Sequence, residues 1–391
     1  MSKVIRACPL PVIFPQLRSL ELYVDPDTDG SIIYLSRFFS VSVTNVVLYF
    51  FPYNKWLANQ RNTLVDLSKR NILTFAREVV ERSPNVQNLE VSACGYALYS
   101  HEVERSLVSL VSGLRHLMSL SISIDMVIPG ILLAASQHTY LVSLKIIDKQ
   151  PCRMQTVYEQ ILSQASVLPN FPENAFPSFH SLHYEGNGLI FAALVQLYPF
   201  LKKSTKLCVR PLRHRSFLSP PSDELVKSTG LKAGKPPYHI EPINGFTKLR
   251  ELTIQTGYST FVVGERLVEL VGWRPELKSL DITRVIDHTR TTSGLLDPIT
   301  TLSLVPNNLE YLRLGAHFGY LKEGTCVTLE EPPVAGTGKY LKGLKQIEID
   351  IDFRVSTRAV YDAVQELLHN TLSEECVEMV AHRFRRWSLL E

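Results

Sequence analysis

Apolar residues recur along this chain in one phrase, apolar-x-x-apolar-x-apolar, repeated from near the start to near the end. The phrase reads as Leu17-Leu20-Leu22, Val43-Val46-Leu48, Val86-Leu89-Val91, Leu117-Leu120-Ile122, Leu141-Leu144-Ile146 and Phe179-Leu182-Tyr184. It continues as Leu249-Leu252-Ile254, Leu277-Leu280-Ile282, Leu309-Leu312-Leu314 and Leu344-Ile347-Ile349, with a weaker copy, Ser204-Leu207-Val209, in the gap. Of the 33 slots in these eleven copies only Ser204 is polar, and of the 22 positions beside the middle slots only Val47, Cys208 and Tyr311 are apolar or aromatic. Contrast at fixed offsets is pattern, not composition. Alternation around the middle slot predicts a short strand whose flanking residues point outward.

The stretches between phrases carry their own punctuation. Pro15, Pro84, Pro177 and Pro275 stand two residues before a first slot, and Pro306 three before one. Proline cannot continue a helix, so each closes the preceding segment and opens the turn into a strand. Apolar residues at three- and four-residue spacing predict helices over Leu64–Glu81, Val103–Gly113, Leu189–Leu201 and Glu265–Gly272. Successive first slots lie about 33 residues apart on average, so one repeat is a strand plus a helical or irregular return. The expected fold is α/β: a single irregular solenoid of about eleven repeats over residues 1–391, a rough horseshoe with parallel strands on its concave face and helices on its convex face. Residues 211–245, with Pro220-Pro221, Gly230, Gly234 and Pro236-Pro237, read as a loop insertion, and residues 355–391 as a C-terminal helical cap.

Phrases such as Phe14-Pro15-Gln16-Leu17-Arg18-Ser19-Leu20, Ser83-Pro84-Asn85-Val86-Gln87-Asn88-Leu89 and Leu267-Val268-Glu269-Leu270-Val271-Gly272-Trp273 carry a resemblance. The chain resembles the leucine-rich-repeat half of the F-box proteins of mushroom-forming fungi. That resemblance implies substrate selection by the repeats for a cullin-RING ubiquitin ligase, and it implies no catalytic residues. Sixteen residues precede Leu17, fewer than a three-helix F-box needs, so the expectation is a repeat region without its F-box.

Composition narrows the function classes. A chain of 391 residues is too long for one ordinary core, and 45% hydrophobic residues describe a well-buried protein. With 41 basic and 38 acidic residues, the net charge of +3 is too even to argue for nucleic-acid or membrane-surface binding. The six cysteines are scattered, giving no zinc knuckle or redox pair, and read as reduced; the expected location is cytoplasmic or nuclear and the expected state monomeric. Ala335-Gly336-Thr337-Gly338-Lys339 lacks the upstream glycine and the following Ser or Thr of a phosphate-binding loop. His180 and His183, at an odd offset on one strand, fall on different sides. No cofactor, metal or catalytic group is expected, and the reading is non-enzymatic.

One constellation stands out among the outward positions. Lys145, His183, Lys206 and Arg210 occupy the middle of the array, followed by Arg213 and Arg215, with Glu21 and Glu90 on one flank and Glu251, Asp281, Glu348 and Asp350, with Arg313 among them, on the other. The functional reading is a concave basic patch that takes an acidic segment of a partner protein; the plain reading is a solvated strand face. Two alternatives stay open: a small-GTPase regulator of the Ran GTPase-activating type, or a solenoid that binds an anion such as an inositol phosphate. Against the former, Arg383-Phe384-Arg385-Arg386-Trp387 makes the C-terminus basic.

Overall fold

The computed structural model describes residues 12–24, 36–50, 74, 76–93, 101–148, 171–211, 241–255, 271–272, 274–286, 308–318, 345–353 and 380–384. The chain divides into two compact units, Met1–Gly186 and Asn187–Glu391. The N-terminal unit carries β1 (Ser19–Val24), β2 (Asn45–Phe50), β3 (Asn88–Ala93), β4 (Ser119–Ser123), β5 (Ser143–Ile147) and β6 (Ser181–Gly186), each parallel to the next. The C-terminal unit carries β7 (Lys206–Pro211), β8 (Glu251–Ile254), β9 (Ser279–Ile286), β10 (Tyr311–Phe318), β11 (Gln346–Phe353) and β12 (Val380–Phe384), again parallel and in chain order.

All eleven phrases form strands, and in each the middle slot is the strand's second residue. Register stacks these residues into two ladders, Leu20–Val46–Leu89–Leu120–Leu144–Leu182 and Leu207–Leu252–Leu280–Leu312–Ile347–Val380. From Leu20 to Leu182 and from Leu207 to Leu312 every rung is buried. Each unit is therefore an α/β leucine-rich-repeat solenoid. Even Ser204, the one polar slot, is buried, and its hydroxyl has no hydrogen-bond partner.

Helices return the chain between strands. In the N-terminal unit α1 spans His101–Gly113 and α2 Pro129–Ser136; in the C-terminal unit α3 spans Gly188–Leu197. The helix expected over Leu189–Leu201 stops at Leu197 and resumes as a 3-10 turn, Pro199–Lys203, because Pro199 has no N–H to continue the α ladder. Helix α2 has no polar stripe, burying Ile131, Leu132, Ala134, Ala135 and Ser136, so periodicity does not reveal it. Of Leu64–Glu81 and Glu265–Gly272, residues 74, 76–81 and 271–272 are helical and the rest lie outside the described residues. Gly113 ends α1 where a Cβ would stand 2.7 Å from Val80 Cγ1, so only glycine fits without a shift. Within 355–391, read from sequence as a helical cap, the described residues instead form β12. Val380 to Phe384 pair with Ile347 to Ile351, supplying partners to the backbone groups on that edge of β11. Residues 212–240 of the expected insertion lie outside the described residues, and Glu241–Gly245 form a 3-10 turn.

Three backbone and side-chain devices repeat. First, the residue after each first slot offers its carbonyl to two N–H groups of the next repeat. Arg18 O accepts from Thr44 and Asn45, Thr44 O from Gln87 and Asn88, and the same step recurs through His180 and Ser181 and from Thr205 through Gln346. Second, the N–H of the first slot donates to the carbonyl three residues earlier, as in Leu17 to Phe14, Val86 to Ser83, Phe179 to Phe176 and Leu277 to Arg274. Pro15, Pro84, Pro177 and Pro275 then occupy the second position of these turns, where a fixed φ suits proline. Third, Ser42, Asn85, Ser178 and Asn308, each just before a first slot, donate side-chain hydrogen bonds to Pro15 O, Val41 O, Thr139 O and Pro275 O of the preceding repeat.

Apart from Phe14, which is exposed, the residue that opens each described turn is buried, and in two repeats it is a nitrogen base. His138 Nε2 lies 2.8 Å from Val111 O in the last turn of α1, where it donates. Arg274, only 2% exposed, donates from Nε to Phe246 O at 3.2 Å and from Nη2 to Ile243 O and Asn244 Oδ1 at the 3-10 turn. Burial pushes the Arg274 guanidinium down to about 10, so it stays charged at neutrality. In both repeats a side chain satisfies the last carbonyls of the preceding helical segment.

Replacing Leu280, which is 0% exposed, with Ala is expected to cost about 2–5 kcal/mol by leaving a cavity. Ser204→Ala is expected to raise stability by about 1 kcal/mol, because it removes a buried hydroxyl without a partner. Urea unfolding of the two variants beside wild type checks both signs. Burial also holds the His138 pKa below 6.5, so the native state binds fewer protons than the unfolded chain. His138 therefore favours folding fully above about pH 6.5 and loses that contribution as pH falls through its lowered value. The urea midpoint of wild type should drop more between pH 7.5 and 5 than that of His138→Gln, whose amide N–H can still donate.

Candidate functional site

Because side chains alternate along a strand, each sheet presents outward rows, one residue per repeat, at steps of about 4.8 Å. In the N-terminal unit the first outward row is Ser19, Asn45, Asn88, Ser119, Ser143, Ser181, small and polar throughout. The second is Glu21, Val47, Glu90, Ser121, Lys145, His183. Asn88 Nδ2 donates to Asn45 Oδ1 at 2.6 Å, and Tyr49 Oη to Glu90 Oε1 at 3.2 Å. His183 Nε2 stands 3.9 Å from Glu185 Oε2.

The rows of the C-terminal unit are more charged. Lys206, Glu251, Ser279, Tyr311 and Gln346 form the first, and Cys208, Thr253, Asp281 and Arg313 belong to the second. Lys206 Nζ meets Glu251 Oε2 at 2.6 Å across β7 and β8, and Arg313 Nη1 lies 3.9 Å from Asp281 Oδ2. At the entry to the strands, Glu310 is gripped from both sides: Lys278 Nζ reaches Oε1 and Lys345 Nζ reaches Oε2, each at 2.6 Å. Arg250 Nε and Glu276 Oε2 pair at 3.4 Å on the same rim.

The residues expected in the basic patch separate accordingly. Lys145 and His183 are register neighbours on β5 and β6. Lys206 is paired with an acid, and Arg210 is exposed on β7. Arg213 and Arg215 lie outside the described residues. Lys206 and Glu251 hold the same position in consecutive repeats, yet read from sequence one falls in the patch and the other on its flank. Ser121 was passed over as one more small polar residue, yet it is 7% exposed and its hydroxyl has no hydrogen-bond partner. Among the described residues no helix is long and apolar enough to cross a membrane, and no three His, Cys, Asp or Glu side chains cluster to hold a metal ion.

No family model matches the chain, and no curated protein sequence matches it. Among solved structures the chain is similar to the crystal structure of the leucine-rich repeat-containing protein LegL7 from Legionella pneumophila, at 15% identity and a TM-score of 0.42, covering 77% of this chain and 83% of that one.

The double grip on Glu310 lowers its carboxyl to about 2, chiefly through the hydrogen bonds from Lys278 and Lys345. A carboxyl depressed in the folded state favours folding above its ordinary value of 4.5 and loses that contribution as pH falls toward 2. Carbon-detected NMR titration should place Glu310 among the most acidic carboxyls, and Lys278→Ala should move its midpoint upward.

Proposed function

We propose that this protein is a recognition module that holds a partner protein against the outward rows of its strands. A leucine-rich-repeat solenoid suits protein–protein interaction: parallel strands fix side chains at regular steps, and the apolar slots are sealed inside. The observation that carries the reading is the composition of the first outward row in the N-terminal unit. Six successive repeats place Ser or Asn there, side chains that hydrogen-bond adaptably and cost little to order. In the N-terminal unit the neighbouring basic groups Lys145 and His183 favour an acidic side chain in the partner, which electrostatic attraction would steer toward them. The finer role of substrate receptor for a ubiquitin ligase rests on the resemblance of the repeat phrases to those of fungal F-box proteins, and co-purification of a cullin-RING adaptor with the full chain tests it.

Photocrosslinking tests the recognition surface itself. A benzoylphenylalanine at Ser143 or Ser279, both on outward rows, should capture a partner polypeptide, whereas one at Ser109, exposed on α1, should not. Equal capture from all three positions would remove the strand face from the binding site.

A further inference from the structure

We infer that the second outward row of the N-terminal unit reads the order of two opposite charges on a bound peptide segment of the partner. A carboxylate side chain seats against Ser121, Lys145 and His183, and a cationic side chain of the same segment seats against Glu90. This rests on the recognition reading above and names the chemistry of one subsite.

Three observations converge. Register places Glu90, Ser121, Lys145 and His183 on four neighbouring strands, β3 to β6, in that order. Ser121, at the centre, is more than nine-tenths buried, and its hydroxyl has no hydrogen-bond partner. A buried donor of this kind destabilises the free protein until something accepts from it. The ammonium of Lys145, half-buried beside it, makes no ion pair or hydrogen bond among the described residues. The ammonium and the hydroxyl therefore present donors with one missing acceptor between them, and a carboxylate supplies it.

The charges around the position set the rest of the ligand. Glu90, which accepts from Tyr49 Oη, lies one strand from Ser121 on the side away from Lys145. Glu185 lies beside His183. A lone anion would feel both carboxylates, so a purely acidic segment gains little. A segment that also carries a cation turns the Glu90 repulsion into attraction. Two strand steps separate Glu90 from Lys145, about 10 Å, which three residues of extended chain span. The partner is thus a protein segment with an acid and a base a few residues apart, running across the strands in one direction.

The test uses the full chain and a displayed library of random peptides. Selection on wild type should enrich peptides that pair Asp or Glu with Lys or Arg in one order. The double variant Glu90→Lys, Lys145→Glu keeps the net charge and should enrich the reverse order. A wild-type peptide, synthesised and measured by fluorescence anisotropy, should bind Lys145→Gln about tenfold and Ser121→Ala about threefold more weakly. Ser121→Ala should not lower the melting temperature, because it deletes a hydroxyl that has no partner in the free protein. That separates loss of binding from loss of fold. If both proteins enrich the same peptides, or wild-type peptides lack the charge pair, the subsite is wrong while recognition by the unit stands. If wild type enriches no peptide over background, the recognition reading falls with it.

Discussion

One backbone carbonyl per repeat, on the residue after the first buried slot, governs the architecture. It accepts two N–H groups from the next repeat, at 2.7–3.1 Å in the five such steps of the N-terminal unit and the four of the C-terminal unit. A doubly engaged carbonyl uses both lone pairs, so a neighbouring strand shifted by one residue would leave one N–H unmet. That shift would also turn every leucine of the strand outward. The same contact therefore fixes both where a strand begins and which side chains it buries. Leu120 lies over Leu144, and Leu280 over Leu312, because Met118 and Lys278 each accept two bonds.

The other side of each repeat solves a different problem. A helix ends with carbonyls that have no partners of their own, and packing it against a sheet takes water from them. Turn-opening residues meet this need in two repeats through His138 and Arg274, which reach back to the preceding helical segment. Ser42, Asn85, Ser178 and Asn308 do the same for the carbonyls just inside the turn. Neighbouring repeats are thus joined by strand pairing, by turn side chains and by helix ends. Leu280→Ala, if it acts as expected, removes only the apolar part of one such junction, so the remaining hydrogen bonds limit how far the damage travels.

Strands were legible because a buried slot leaves a compositional mark at a fixed offset, and that mark survived in ten complete copies and one with Ser204. Hydrogen bonds between backbone groups leave no such mark, since any residue supplies an N–H and a carbonyl. The turn-opening position escaped because its occupants, Ser83, Leu114, His138, Phe176 and Arg274, share burial and not chemistry. Helix α2 escaped for lack of a polar face, and β12 because five residues at an edge are too few for a period to declare itself. Of the candidate site, Lys145 and His183 were legible as neighbours, while the pairing of Lys206 with Glu251 became plain only once the strands were in register.

That pairing bears on where recognition resides. In the C-terminal unit the outward charges meet each other: Lys206 with Glu251, Arg313 with Asp281, and Glu310 between Lys278 and Lys345. A charge already matched by its neighbour gains little from a ligand, since binding must first exchange one partner for another. In the N-terminal unit the outward rows are mostly neutral, and among the described residues the Lys145 ammonium and the Ser121 hydroxyl have no acceptor. An added carboxylate there replaces only water or nothing. Free energy of association comes from contacts the free protein lacks, so on the recognition reading proposed above the less charged unit suits a charged segment better.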